Sequence, residues 1–176
     1  SAKVTKLTDK ITDYLAGLFS SGLLTEQQAS QTAGLMYVLG DVERIGNLSA
    51  GIALSMKEKE TNQYKYSQEA MDELAKCLKT LEKMFDSATK ALRGDTTVEL
   101  EKLMKRKDKI VNLDIMMRKS HIQRVNKGKC KASLTTPFTN ILHLIDRMGN
   151  SCINLADAAT NEVALKYFLP KDEMTM

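Results

Sequence analysis

Apolar residues recur along this chain at steps of three and four rather than two. Phe138, Ile141, Leu142, Ile145, Met148, Cys152, Ala156, Ala159 and Val163 form one such stripe. Leu35, Val38, Val42, Ile45, Ile52 and Met56 form another, with Ser49 at one of its steps. This spacing places each set on one face of an α-helix that buries that face. Polar and glycine punctuation divides the chain further. A first helix is predicted from about Lys3 to Ser20, stopped by Ser21-Gly22. Thr25-Glu-Gln-Gln28 has the form of a capping box, in which Thr25 accepts from the amide three residues on and Gln28 reaches back. It opens a second helix to about Lys59, followed by a polar linker from Glu60 to Tyr66. A third helix runs from about Ser67 to Arg93 and ends at Gly94, which suits the left-handed position after a helix. Thr96-Thr-Val-Glu99 has the form of a second capping box and opens a helix to about Lys127, with Gly128 past its end. Thr136-Pro137 predicts an N-cap followed by Pro at the first helical position, and the last helix runs to about Leu169, where Pro170 ends it.

Composition agrees with an all-α chain. Of 176 residues, 43% are hydrophobic and only 5% aromatic, with two Pro and no Trp, and the dominant Leu, Met, Ala, Lys and Glu are strong helix formers. No apolar run approaches the ~18 residues that would span a membrane. The chain begins at Ser rather than Met, which fits a piece of a longer protein that continues on the N-terminal side. Cys77, Cys130 and Cys152 are odd in number and show no Cys-x-x-Cys spacing, so they read as reduced thiols of a cytosolic protein. The ten Met residues read as core fillers.

Two stretches repeat each other 103 residues apart. Asp41-Val-Glu-Arg-Ile-Gly-Asn-Leu-Ser-Ala-Gly-Ile-Ala53 aligns with Leu144-Ile-Asp-Arg-Met-Gly-Asn-Ser-Cys-Ile-Asn-Leu-Ala156, pairing Glu43 with Asp146, Arg44 with Arg147, Gly46 with Gly149 and Asn47 with Asn150. The period is too long for a solenoid and fits two copies of one small bundle. Residues 1–60 then form a first, partial repeat of two helices, and residues 61–176 a second of three. Either the opening helix of the first repeat lies outside this sequence, or the first half packs directly on the second. An incomplete bundle also favours pairing into a homodimer.

Each repeat carries a polar stripe rich in carboxylates. At ~100° per residue, Glu43 and Asn47 stand side by side, well away from the apolar face of their helix, as do Asp146 and Asn150, and His143 and Asp157 share the latter strip. The preceding helices carry Asp9 with Asp13, opposite Leu7, Ile11 and Leu18, and Asp108 with Asn112, opposite Ile110, Leu113 and Met117. Any one such pair is an ordinary solvated face. Four of them on neighbouring helices also describe a hard-metal site, since a spacing of four lets two oxygens on one helix reach one ion. Arg44 and Arg147 fit cross-helix ion pairs with neighbouring carboxylates. Gly46 and Gly149 fit close helix approach, because Gly inside a helix costs ~1 kcal/mol relative to Ala.

Charge is unevenly spread. The chain's net charge of +4 conceals residues 102–131, where eleven Lys and Arg face Asp108 and Asp114 alone. Lys102, Lys105, Arg106, Lys109, Lys119, Arg124, Lys127, Lys129 and Lys131 read either as a solvated face or as a surface for anions such as lipid head groups. Without interleaved aromatic residues, the stretch lacks the stacking platforms of a nucleic-acid site.

The two motif copies resemble the PhoU family, whose hallmark is a duplicated three-helix bundle with Glu-Arg-Ile-Gly-Asp-His-x-x-Asn-Ile-Ala on each third helix. His121-Ile-Gln-Arg-Val-Asn-Lys-Gly-Lys-Cys130, the run from Pro137 to Arg147, and Asp9-Lys-Ile-Thr-Asp-Tyr-Leu-Ala-Gly-Leu18 look like the branch that follows the membrane region of bacterial sodium/phosphate cotransporters. The resemblance implies a non-catalytic regulatory domain at the cytoplasmic face of the cell membrane, with the transmembrane transporter region of the same natural chain as its partner. The other reading is a free-standing PhoU-like adaptor in phosphate signalling. The resemblance also implies a divalent or iron-type metal ion held by Asp9, Asp13, Glu43 and Asn47 in one half and by Asp108, Asn112, Asp146 and Asn150 in the other. Asn stands for the family's acid at 47, 112 and 150, and Leu48 and Ser151 stand for its His, so the first half is the better-equipped set. A carboxylate-bridged di-iron enzyme is disfavoured, since neither repeat has the Glu-x-x-His ligand motif of that class.

Overall fold

The computed structural model describes residues 2–61 and 66–160, with the backbone alone described at 58–61. Its α-helices are α1 (Ala2–Ser20), α2 (Glu26–Thr61), α3 (Gln68–Leu92), α4 (Leu100–Asn126) and α5 (Thr135–Thr160), with a 3-10 turn at Ala132–Leu134 before α5. Among the described residues there is no strand, as the helical periodicity predicts. The predicted extension of the last helix to Leu169 and its stop at Pro170, with Val163, lie outside the described residues.

Several boundaries follow the predicted chemistry. At the start of α2 the Gln28 amide donates to Thr25 Oγ1 at 3.3 Å and the Thr25 amide to Gln28 Oε1 at 2.9 Å, a reciprocal capping box. Ser67 caps α3, accepting from the Ala70 amide at 3.2 Å. After α3, Gly94 takes a φ of +86°, and the chain closes with Gly94 N–H on the Ala91 carbonyl and Asp95 N–H on that of Lys90, a Schellman arrangement open to glycine at little cost.

Other boundaries differ. The second expected capping box does not form. Asp95 Oδ1 accepts from both the Thr97 amide (2.9 Å) and the Thr97 hydroxyl (2.6 Å), closing a local turn that holds the segment out of the helix. The helix therefore starts at Leu100, and Glu99 makes no side-chain cap. Helix α5 starts at Thr135 rather than after Thr136, so Pro137 sits further inside the first turn, where its missing N–H still breaks no helical bond. Tyr66, expected in a polar linker, is buried with its ring 5.7 Å from Phe138.

Helix α5 lies against α2, α3 and α4, while α1 packs on α2. A single core cluster joins Val38, Ile45 and Leu48 of α2 to Leu74 and Met84 of α3, Ile110 and Met117 of α4, and the α5 stripe. The first half thus packs directly on the second. Phe138, Ile141, Leu142, Ile145 and Leu155 are at most 2% exposed. Each contributes roughly 1.5–3 kcal/mol relative to an exposed position. On α2 it is Leu48, not Ser49, that is buried; the Ser49 hydroxyl instead bonds back to the Ile45 carbonyl at 2.8 Å. Met84, Met117 and Met148 fill the core as expected, whereas Met104 and Met116 are exposed.

His121 lies on the buried face of α4, one turn before Arg124. Its Nε2 lies 2.9 Å from Thr135 Oγ1 and its ring stacks on Phe138 at a centroid distance of 5.1 Å, so it ties α4 to the start of α5. Burial, and then the neighbouring Arg124 guanidinium, push its pKa below 6.5. The unfolded chain therefore takes up a proton before the folded one does. Stability should be full above pH 6.5, fall as the pH drops below it, and level off once the folded-state pKa is passed. Urea unfolding between pH 7.5 and 5 checks this, and His121→Gln should flatten that part of the slope.

Candidate functional site between the motif helices

Helices α2 and α5 run antiparallel. A Cβ at Gly51 would lie 3.2 Å from Leu144 Cδ1, Ser49 Oγ lies 3.8 Å from the Met148 sulfur, and Asn154 Nδ2 donates to Asp41 Oδ2 at 3.2 Å. Residue numbers rise along one helix as they fall along the other, so the two motif copies face each other. Arg147 comes alongside the turn Arg44–Leu48. Gly40, Glu43, Arg44, Asn47, Leu48 and Arg147 line a cleft of about 450 Å³ there, in the size range of small-ligand pockets.

The arginines of this cleft differ from most others in the chain. Arg118 pairs with Asp114 at 2.8 Å, Arg106 donates to Ser87 Oγ at 2.7 Å, and Arg124 is buried, donating to Ser120 Oγ at 2.6 Å and facing Glu73 at 3.4 Å. Arg44 and Arg147 are both exposed and have no ion pair or hydrogen bond among the described residues, nor has the half-buried Glu43. The cross-helix pairing expected of the two motif arginines is not formed.

The acidic positions are unequal. Asp9, Asp13, Asp108, Asn112, Asn47 and Asn150 are exposed, while Glu43 and Asp146 are half-buried. Among the described residues, no three His, Cys, Asp or Glu side chains converge as a metal ion would require. In the second half the position is already filled. Lys107 Nζ bonds Asp146 Oδ1 and also donates to the Asp146 carbonyl at 3.0 Å, with the Lys107 side chain only 12% exposed.

The motif glycines show where the halves diverge. A Cβ at Gly149 would meet Lys107 Cδ at 3.1 Å, and one at Gly46 would meet Val4 Cγ1 at 3.2 Å. Both glycines therefore permit close approach by the preceding helix, as the sequence suggested. Val4 holds in the first half the place that Lys107 holds in the second. Asp146 has a cation beside it for that reason, and Glu43 does not.

Sequence reasoning missed one group in this region. Asp41 is buried, with Oδ2 on Asn154 and Oδ1 lacking a hydrogen-bond partner among the described residues. Its position at the head of the first motif copy was visible, but its turn toward α5 follows from the α2–α5 register alone. The core thiols offer no nucleophile. Burial, followed by the Asp114 and Asp146 carboxylates, raises Cys77 to about 11, and burial followed by Asp41 raises Cys152 to about 12.

Residues 74–159, which include α5 up to Ala159 and the second motif copy, match the family model of the PhoU domain. This supports a PhoU-like family for the chain. No curated protein and no solved structure matches it.

The Lys107–Asp146 pair gives a direct check. Lys107→Met keeps the aliphatic stem over Gly149 and removes the charge. Because Asp146 keeps some solvent, the loss of stability should be about 1–2 kcal/mol rather than the larger cost of stranding a fully buried charge. Urea unfolding of Lys107→Met against the wild-type chain measures it, and Asp146→Asn should cost less.

Proposed function

We propose that this chain is the cytoplasmic regulatory domain of a sodium-dependent phosphate cotransporter, controlling phosphate uptake from beneath the membrane. The observation that carries the reading is the PhoU-domain match over residues 74–159, on the part of the chain that holds the second acid–arginine–glycine motif. Domains of this kind are regulatory rather than catalytic. No described helix is long and apolar enough to cross a membrane, so the reading places the membrane region elsewhere in the natural chain. Several apolar segments of about 20 residues each should precede Ser1 there. Deleting the segment equivalent to residues 1–176 should alter sodium-dependent phosphate uptake in cells without abolishing insertion of the transporter. Unchanged uptake at every external phosphate level would refute the reading.

The surface of α4 supports a place beside the membrane. Met104, Val111, Ile115 and Ile122 are exposed and fall on one line of the helix, at steps of seven, four and seven. Exposed Lys105, Lys109, Lys119 and Lys127 flank that line. Arg106 and Arg124, read from sequence as part of the basic surface, instead serve contacts to α3. An apolar line beside a basic band is the pattern of a helix that rests on anionic lipid. Each basic residue near the surface contributes roughly 1 kcal/mol, screened beyond about 8 Å at physiological salt. In vesicle co-sedimentation at low salt, the chain should bind anionic vesicles and not neutral ones. Changing Lys109, Lys119 and Lys127 to Glu should remove the binding, and Ile115→Gln should weaken it at constant charge. Equal behaviour on both lipids would exclude the membrane role.

A further inference from the structure

We infer that the cleft between α2 and α5 binds inorganic phosphate in its proton-bearing form, with Arg44 and Arg147 as the cationic clamp and Glu43 as the acceptor for the ligand's hydroxyl. The inference deepens the functional reading above and rests on it for the choice of ligand. The site itself rests on geometry. Arg44 and Arg147, from facing motif copies, line one cleft of about 450 Å³, and neither has an internal partner among the described residues. Two positive groups in one open cleft disfavour a metal cation and favour an anion, and the guanidinium fork matches tetrahedral oxyanions in particular. The chemistry of the remaining lining narrows the ligand. Glu43 is a carboxylate in the same cleft with no partner among the described residues, and it would repel an anion that has no proton to offer. Hydrogen phosphate has one P–OH group that can donate to Glu43, while its other oxygens accept from the arginines and from the Asn47 amide. Sulfate has no such proton. A phosphomonoester, whose second pKa is ≈ 6, has largely lost its proton at pH 7.5.

The asymmetry of the two halves explains why the carboxylate is available here. Lys107 engages Asp146 in the second copy, while Val4 stands at the matching position in the first. The cleft also has an open wall. A Cβ at Gly40 would meet nothing within 4 Å, so a large side chain there would fill the cleft while sparing both arginines. Replacing a helical glycine also raises helix propensity, which protects the fold of that variant.

Isothermal titration of the chain at pH 7.5 with sodium phosphate, sodium sulfate and glycerol phosphate tests the proposal. Phosphate should bind, and sulfate and glycerol phosphate should bind at least about tenfold more weakly. Arg44→Gln and Arg147→Gln should each weaken phosphate binding about tenfold or more, as expected for loss of a charge-assisted contact. Gly40→Phe should block binding with the thermal unfolding transition retained, and Glu43→Gln should bring sulfate level with phosphate. Three results would overturn the proposal: equal affinity for sulfate in the wild type, phosphate binding that survives both Gly40→Phe and the arginine changes, or preference for glycerol phosphate, which would point to a lipid head group. No phosphate binding by a domain that still controls cellular uptake would remove the cleft and leave the functional reading standing. Phosphate binding by a domain whose deletion leaves uptake unchanged would do the reverse.

Discussion

The bundle depends on covering α5 from three sides at once. Its neighbours α2, α3 and α4 all have to reach it, so its surface must be apolar on every side but one polar stripe, and small where a backbone comes close. The sequence meets both demands. Phe138, Ile141, Leu142, Ile145 and Leu155 provide volume, and Gly149, Ser151, Cys152, Ala156 and Ala158, all buried, provide room. The absence of a side chain at Gly149 lets the stem of Lys107 lie across the helix and its ammonium reach Asp146. A packing requirement thereby fixes an electrostatic one, and the acid of the second motif copy is held by a cation from the preceding helix.

The same register controls the first copy with a different outcome. Since α2 and α5 are antiparallel and meet near Gly51 and Leu144, a second acid–arginine–glycine turn is presented to the first. The preceding helix contributes Val4 in place of a lysine, and Glu43 keeps its carboxylate for other uses. Coverage differs as well. Helix α3 shields α4 and α5 together, but no described helix holds that position against α1 and α2. Leu7, Ile11 and Tyr14, at steps of four and three along α1, are 60%, 43% and 67% exposed. Leu7 and Ile11, with Leu18, were expected on the apolar face opposite Asp9 and Asp13. Contact with α2 instead rotates Val4, Thr8 and Leu15 inward.

Much of this was legible in the chain because it is local. Helix number, the Thr25–Gln28 box, the Gly94 stop and the α5 stripe depend on residues within a turn or two of each other, where spacing and capping chemistry decide the outcome. The failures also have local causes where two local options compete. Asp95 and Thr96-Thr-Val-Glu99 offered alternative hydrogen bonds for the same backbone, and the two bonds to Thr97 prevailed. What the sequence could not reveal depends on distant partners. The burial of Tyr66, Asp41, His121 and Arg124 follows from contacts to residues up to 113 positions away, and no periodicity encodes those. The motif arginines fall between these cases. Their repetition marked them, but nearby carboxylates suggested internal pairs, and only the three-dimensional arrangement shows both arginines lining one cleft with no acid engaging them among the described residues.

Duplication followed by divergence at a single neighbouring position gives this fold a way to separate structure from ligand chemistry. Both copies keep the glycine, so both keep the close helix approach that packing demands. Both keep the arginine, so the facing turns bring like charges together across the α2–α5 groove. Two arginines on facing helices with no partner among the described residues repel one another. That arrangement contributes nothing to folding stability unless an anion sits between them. A chain under selection for stability alone would place a second acid there, as it places Asp114 against Arg118 and Glu73 against Arg124. Instead one motif acid is held by Lys107, and the other stands in the cleft with no partner among the described residues. The residues that hold the bundle together and the residues that leave the cleft open to an anion are thus different members of the same repeated turn.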